Sequence, residues 1–149
     1  THMMLRSLST MDLVGKSVFD YGAGSGILSI YADQRGAEGV GIEIDSHAAK
    51  TANENLALND CQSFRIIPGT LEQVQDSKFD VIVANINRNV IEESASQLRE
   101  LATDEGTLLC AGFFSTDVPS LTKVLIENDF EYVDQLNEGD WSLLKFIAS

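Results

Sequence analysis

Short apolar runs alternate with stretches of helical spacing along this chain. Residues 16–21 (KSVFDY) predict a strand ending in an acid, followed by a glycine-rich turn at 22–26. Residues 27–35 carry helical spacing, with Ile27, Ile30, Tyr31 and Gln34 on successive turns and Gly36 placed to cap the C-terminus. Residues 39–44 (GVGIEI) predict a second strand. Asp45 or Ser46 then N-caps a helix running to about Leu58. A third strand is expected at 64–67, closed by Pro68-Gly69, and a fourth at 79–84 (FDVIVA). A long helix follows over 89–102, then a fifth strand at 107–112 and a helix over 118–128. Pro119 falls in the first turn of that helix, where its missing N–H leaves no bond unmade. Residues 131–136 and 141–147, around a turn at 137–140, predict a closing antiparallel hairpin.

Strands apolar on both faces, alternating with helices, mark an α/β fold with a doubly wound, mostly parallel sheet. Right-handed crossovers and the final hairpin give an open seven-stranded sheet with a C-terminal antiparallel hairpin. Ligands bind such sheets outside the carboxyl ends of the strands, where the strand order reverses, and the turn at 22–26 falls there.

The 149 residues suffice for one domain. The chain carries 10 basic against 23 acidic residues, a net charge of −13, which leaves little from which to build a nucleic-acid-binding face. The acid is concentrated between Glu100 and Asp140, where Lys123 is the only base, so that part repels phosphates and is fit to attract a basic protein. Cys61 and Cys110 form neither a disulfide framework nor a zinc pattern, which points to a reducing, cytoplasmic setting. No apolar run reaches the length of a membrane span, and no metal site is expected. The opening Thr1-His2-Met3-Met4 reads as a vector scar or a cut inside a longer protein.

Three places carry candidate chemistry. In Asp20-Tyr21-Gly22-Ala23-Gly24-Ser25-Gly26 the glycines allow a sharp turn and close approach of a ligand. The spacing is G-x-G-x-G, whereas a dinucleotide loop has G-x-G-x-x-G. The preceding acid suits an ammonium group better than a pyrophosphate, so the loop favours a ligand with an amino-acid end. Glu43, at the end of the second strand, can accept both hydroxyls of a ribose, with Asp45 read as the helix cap. Asn85-Ile86-Asn87-Arg88 follows the fourth strand and faces the same crevice, where Asn85 offers a carbonyl and an amide.

Together these sites resemble the Rossmann-like S-adenosylmethionine-dependent methyltransferases. The stretches VFDYGAGSGILSIYA, GIEID, FDVIVANINRNVI and DWSLLKF narrow the resemblance to the catalytic domain of the bacterial methyltransferases of large-subunit ribosomal protein eleven. The most specific parts are 26–30 and 84–86, and the resemblance covers nearly the whole chain. It implies one catalytic domain over 1–149, without the family's separate N-terminal domain that grips the ribosomal protein. Residues 1–8 would then match the first helix of the catalytic domain. The implied reaction is methyl transfer from S-adenosylmethionine to lysine or N-terminal amines of a basic ribosomal protein.

Under that resemblance Asp20 holds the cofactor's amino group, directly or through water. Gly22, Gly24 and Gly26 allow close approach, and Glu43 holds the ribose. Many relatives have an acid after the third strand for the adenine amino group; here Gly69-Thr70 stands there, so the Thr70 hydroxyl or the Leu71 amide takes that contact. Asn85 also borders the cofactor. Asn85 and the carbonyl of Ile86 orient the acceptor amine, by alignment and desolvation more than by general-base catalysis. The Asn-Pro-Pro-Tyr of enzymes that methylate nucleobases or glutamine is replaced by Asn85-Ile86-Asn87-Arg88, which lacks the stacking aromatic. An RNA or small-molecule methyltransferase, a non-catalytic cofactor-binding domain and a nicotinamide-binding domain are the competing readings. Elsewhere, His2 and His47 read as surface residues, and Glu92-Glu93 as a solvated helix face. Phe113-Phe114 reads as core or the floor of a substrate crevice, and Trp141 as a packing residue. Arg88 reads as a side chain at the crevice mouth within reach of a substrate.

Overall fold

The computed structural model describes residues 1–149. Seven strands form one sheet: β1 (Ser17–Tyr21), β2 (Glu38–Glu43), β3 (Phe64–Pro68), β4 (Phe79–Asn85), β5 (Ala102–Phe114), β6 (Phe130–Glu138) and β7 (Trp141–Ala148). Their order is β3-β2-β1-β4-β5-β7-β6. The first five run parallel, and β7 is inserted antiparallel between β5 and β6. Five helices cover the sheet: α1 (His2–Ser9), α2 (Ile27–Gln34), α3 (Ser46–Leu58), α4 (Arg88–Leu101) and α5 (Val118–Glu127).

Neighbouring strand residues point to opposite faces and both faces are covered, which is why the strands read as continuous apolar runs. Phe19, Ile82, Leu108 and Phe146 pack with Ile91 and Leu98 of α4 and Leu121 and Leu125 of α5. Val18, Val81, Val83 and Leu109 pack on the other face with Met4 and Leu8 of α1, Leu28 and Ala32 of α2, and Ala52 of α3. The strand order reverses between β1 and β4, so the chain segments leaving β1, β2 and β4 converge at one end of the sheet.

The expected elements are all present, with three local differences. β5 begins at Ala102, directly after α4, rather than at Thr107. The pairing of β4 with β5 passes from Phe79–Ala102 to Val81–Thr107, so 103–106 bulge opposite Asp80. That carboxylate binds the N–H and hydroxyl of Ser17 and the hydroxyl of Thr103, and Glu105 turns at φ 63°. A polar, turn-like stretch held by a distant aspartate carries no strand periodicity. The hairpin loop contains only Gly139-Asp140, so both strands exceed the expected bounds. Gly139 supplies the positive φ of 59° that a two-residue loop uses at its first position. Finally, Leu71–Val74 form a 3-10 turn, N-capped by Thr70 and closed by Gln73.

Candidate functional site

The turn after β1 folds over the end of β2, because the N–H groups of Gly22 and Ala23 both donate to the Ile42 carbonyl, at 3.1 and 2.9 Å. Gly22 (φ 75°), Gly24 (φ 54°) and Gly26 (φ 84°) all occupy the left-handed region. A side chain on Gly22 would collide with the Ile86 side chain, whereas the space around Gly24 is open. Gly26 N-caps α2 and lies against Ala52, where a Cβ would come within 3.3 Å.

Glu43 ties this turn to the next one. Its carboxylate accepts the N–H of Gly24 and the N–H of Asp45, each at 3.0 Å. Each bond uses one lone pair of a different oxygen, which leaves the rest of the carboxylate to meet a ligand's hydroxyls. Asp45 caps α3 through the N–H groups of His47 and Ala48. Asp20 lies beneath the glycine turn, 1% exposed. Its Oδ2 accepts the Ser29 hydroxyl at 2.8 Å. Burial pushes its carboxyl up to about 6, the Ser29 bonds work against that, and the charge of Glu43 adds to it.

The ends of β1, β2, β3 and β4 enclose a cleft of about 320 Å³. Gly22, Glu43, Thr70 and Ile86 line it, together with Tyr21, Ile44, Asn87 and Val90. Thr70 is exposed at the rim, and its N–H is already given to the Gln73 side chain at 2.6 Å. Leu71 is buried behind it.

Asn85 opens into a second cleft of about 390 Å³, lined also by Thr1, His2, Ala111, Gly112, Glu138 and Trp141. The amide of Asn85 donates to the Thr1 hydroxyl at 3.3 Å, which turns its carbonyl oxygen the other way. Gly112 sits against the Ile86 backbone, and a Cβ there would lie 2.9 Å from the Ile86 carbonyl oxygen. A glycine is what allows this close approach of the two segments. Glu138 is held by His2 at 3.0 Å and Arg6 at 3.1 Å. Burial raises its carboxyl, but the two basic neighbours outweigh that and keep it below the usual range. The turn at 85–87 therefore separates two clefts, with Ile86 and Asn87 on one side and Asn85 on the other.

Three sequence expectations change. Arg88 is not free at the mouth, because Glu92 and Asp117 bind it. Glu92 is consequently not solvated, its side chain being 18% exposed. Trp141 is 47% exposed and stacks on Phe114 with ring centroids 4.4 Å apart, while Phe113 is core. Sequence reasoning passed over Ile44, which is 79% exposed beside Glu43, and Gly112 and Glu138 in the second cleft. An apolar residue between the strand-end acid and the helix-capping Asp45 was the available signal for Ile44. Gly112 and Glu138 carry no local signal, since strand pairing alone brings them to Asn85.

The family model described as Ribosomal protein L11 methyltransferase (PrmA) matches residues 1–148. A ribosomal protein L11 methyltransferase from Porphyromonas gingivalis is 36% identical over 148 residues, which cover 98% of this chain and 51% of that protein. The crystal structure of a ribosomal protein L11 methylase from Lactobacillus delbrueckii subsp. bulgaricus is 28% identical with a TM-score of 0.87, covering 97% of this chain and 74% of that one. The magnesium protoporphyrin IX methyltransferase of Synechocystis, crystallised with bound S-adenosylmethionine, shares the fold at a TM-score of 0.79 and 21% identity, covering 99% of this chain and 77% of that one. The chain spans about half the length of the curated relatives it matches.

Proposed function

The chain belongs to the ribosomal protein L11 methyltransferase family, and from that membership we propose that it transfers methyl groups from S-adenosylmethionine to lysine or N-terminal amines of ribosomal protein L11. One observation carries the reading: a cleft suited to an amino-acid-ended nucleoside and a cleft headed by Asn85 meet at a single turn, 85–87.

The residues fit the cofactor's chemistry. Open space over Gly24 and the positive φ of Gly22 and Gly24 let a ligand lie on the turn. The buried Asp20 attracts the ammonium of the amino-acid end, and Glu43 accepts the ribose hydroxyls. Ile44 on one side and Ile86 and Val90 on the other present apolar surface to a flat base. Thr70, at the rim, is the polar group near the base edge. When bound, S-adenosylmethionine supplies a methyl group on a positively charged sulfonium.

The chain's own task is then to present a neutral amine in line with that methyl, about 3 Å away. An ammonium has no lone pair, so the acceptor must first lose its proton to water. The Asn85 carbonyl oxygen and the Ile86 carbonyl accept the amine's N–H bonds and so aim its lone pair. Trp141, with Phe114 stacked on it, gives the acceptor side an apolar face, which disfavours the charged form of an amine lying against it. The net charge of −13 favours a basic protein over nucleic acid as the substrate. Both cysteines are free and buried, in keeping with a cytoplasmic setting, and no helix is long and apolar enough to cross a membrane.

Titration calorimetry with S-adenosylmethionine, with NAD as the control, tests the first cleft. Transfer of labelled methyl groups to ribosomal protein L11 tests the second. Binding of the first ligand alone together with transfer to L11 is the expected result. NAD binding, or cofactor binding with no transfer, overturns the reading in favour of a nicotinamide site or a non-catalytic domain.

A further inference from the structure

Arg88 is the first residue of α4, immediately after the turn at 85–87, and its guanidinium holds three groups at once. Its Nε lies 3.2 Å from Asp117 Oδ1. Its NH1 lies 3.3 Å from both Glu92 carboxylate oxygens and 3.3 Å from the Ser120 hydroxyl. Ser120 in turn donates to Glu92 at 2.7 Å. Side-chain exposure is 31% for Arg88, 18% for Glu92 and 28% for Asp117, so the network is better shielded than an ordinary surface ion pair.

The network leads to the acceptor cleft. The second oxygen of Asp117 accepts the N–H of Phe114 at 3.2 Å. Phe114 stacks on Trp141, and Trp141 lines the cleft that Asn85 opens into. One side of the cleft is thus carried by the turn leaving β4, and the other by Phe114 at the end of β5 and Trp141 at the start of β7. Below them the two sides are joined by the sheet and by the approach of Gly112 to the Ile86 backbone. Arg88 spans them from the outside.

We infer that Arg88 is a positioning residue for the acceptor, bracing the Asp117–Phe114–Trp141 wall against the turn that carries Asn85. This deepens the proposed function and rests on the second cleft being the acceptor site. Its physical content is electrostatic and geometric. Two carboxylates are drawn to one cation, so without Arg88 they repel and push the start of α5, and Phe114 with it, off the cleft. Lysine keeps the charge but not the planar fork that reaches Asp117 and Glu92 together.

Trp141 is the chain's only tryptophan, so its emission reports on this wall without substrate or cofactor. Acrylamide quenching of the 149-residue chain, well below its melting temperature, is the experiment. Phe114→Leu, which removes the stack directly, calibrates the signal. The expected result is a rise in the quenching constant of about twofold for Phe114→Leu and a similar rise for Arg88→Ala, as for any indole that loses one covered face. Arg88→Lys falls between wild type and Arg88→Ala. In the Asp117→Ala background, Arg88→Ala adds nothing, because the link is already broken. A role confined to overall stability would lower the melting temperature and leave the quenching unchanged. Quenching unchanged in Arg88→Ala overturns the inference, as does its addition in full on top of Asp117→Ala. Quenching unchanged in Phe114→Leu overturns it too, since the wall would then not be stacked. With L11 as acceptor, Arg88→Ala raises the KM for L11 about tenfold and leaves the cofactor KM unchanged. If Asn85→Ala transfers methyl groups like wild type while the quenching behaves as expected, the acceptor assignment fails and the brace stands.

Discussion

Of the two clefts that meet at the turn 85–87, the first takes its walls from consecutive strand ends, and the second gathers residues as far apart as Thr1 and Trp141. The first is largely backbone: a glycine turn, its N–H groups on Ile42, and a carboxylate that reaches back to Gly24. The second is largely side chains, aligned by α1, by the hairpin and by an ion-pair network. A site built of backbone is fixed by the fold and announces itself locally. A site built of side chains depends on distant packing, and its parts can be removed one at a time.

The largest effect is therefore expected in the first cleft. Gly22→Ala meets both an unfavourable φ and the Ile86 side chain. Its displacement moves the turn and Ile86 together, so the calorimetric Kd for S-adenosylmethionine should rise about 100-fold or more. Gly24→Ala meets no protein atom, so its cost is the left-handed strain of about 1–2 kcal/mol together with a methyl group in the open space proposed for the ligand, roughly tenfold in Kd. A larger loss at Gly24 than at Gly22 would mean that the ligand, not Ile86, is what demands a glycine.

The sharpest separation of the two clefts comes from Asn85→Ala. It should lower kcat for L11 methylation about 50- to 100-fold, the scale of a misaligned acceptor, and leave the cofactor Kd within about threefold. An equal loss in both quantities would merge the two clefts into one site.

The same contrast explains what was legible in the sequence. Strand positions, the helix faces and the cofactor-side candidates follow from local spacing: an acid before G-x-G-x-G, an acid at the next strand end, an asparagine after the fourth. Asp20, Gly22, Gly24 and Glu43 could be named because each sits within a few residues of a strand terminus. The bulge at 103–106 was hidden because Asp80, more than twenty residues earlier, supplies the bonds that a strand pattern would otherwise imply. Arg88 reads in the sequence as a side chain at the crevice mouth because Asp117, its partner, lies on another element. Trp141 reads as a packing residue in the sequence because the ring it stacks on, Phe114, belongs to a strand on the other side of a helix.

A smaller loss is expected for Glu43→Ala. It removes the acceptors proposed for the ribose and releases the N–H groups of Gly24 and Asp45 to water. With charge-assisted bonds at about 1.5–3 kcal/mol each and partial replacement by water, the cofactor Kd should rise roughly 30-fold. At saturating cofactor, kcat for L11 should be unchanged, because nothing in the second cleft rests on Glu43. A fall in kcat at saturation would show that the glycine turn, once loosened, also moves the turn at 85–87.

The smallest effect is a pH dependence confined to the first cleft. Burial raises the Asp20 carboxyl from its ordinary 3.8 to about 6, so between those two values the folded chain without ligand holds a proton there that the unfolded chain lacks. That protonation contributes stability fully below the ordinary value, and the contribution is lost as pH rises through the folded one. An ammonium group reverses the preference, since it favours the ionised carboxylate. Cofactor affinity should accordingly be level at about pH 7.5 and fall by up to about tenfold per unit once pH drops below the folded value. Binding near neutrality should release no more than a small fraction of a proton, and more as the pH falls. Asp20→Asn should bind more weakly at about pH 7.5 and show no slope through the same range, while Glu43→Ala should keep the slope on a weaker baseline. Calorimetry at several pH values in buffers of different ionisation enthalpy measures both the affinity and the proton release. A wild-type affinity that stays level down to about pH 5 would mean that the cofactor's ammonium does not face Asp20, and that the acid serves only to bind Ser29 beneath the turn.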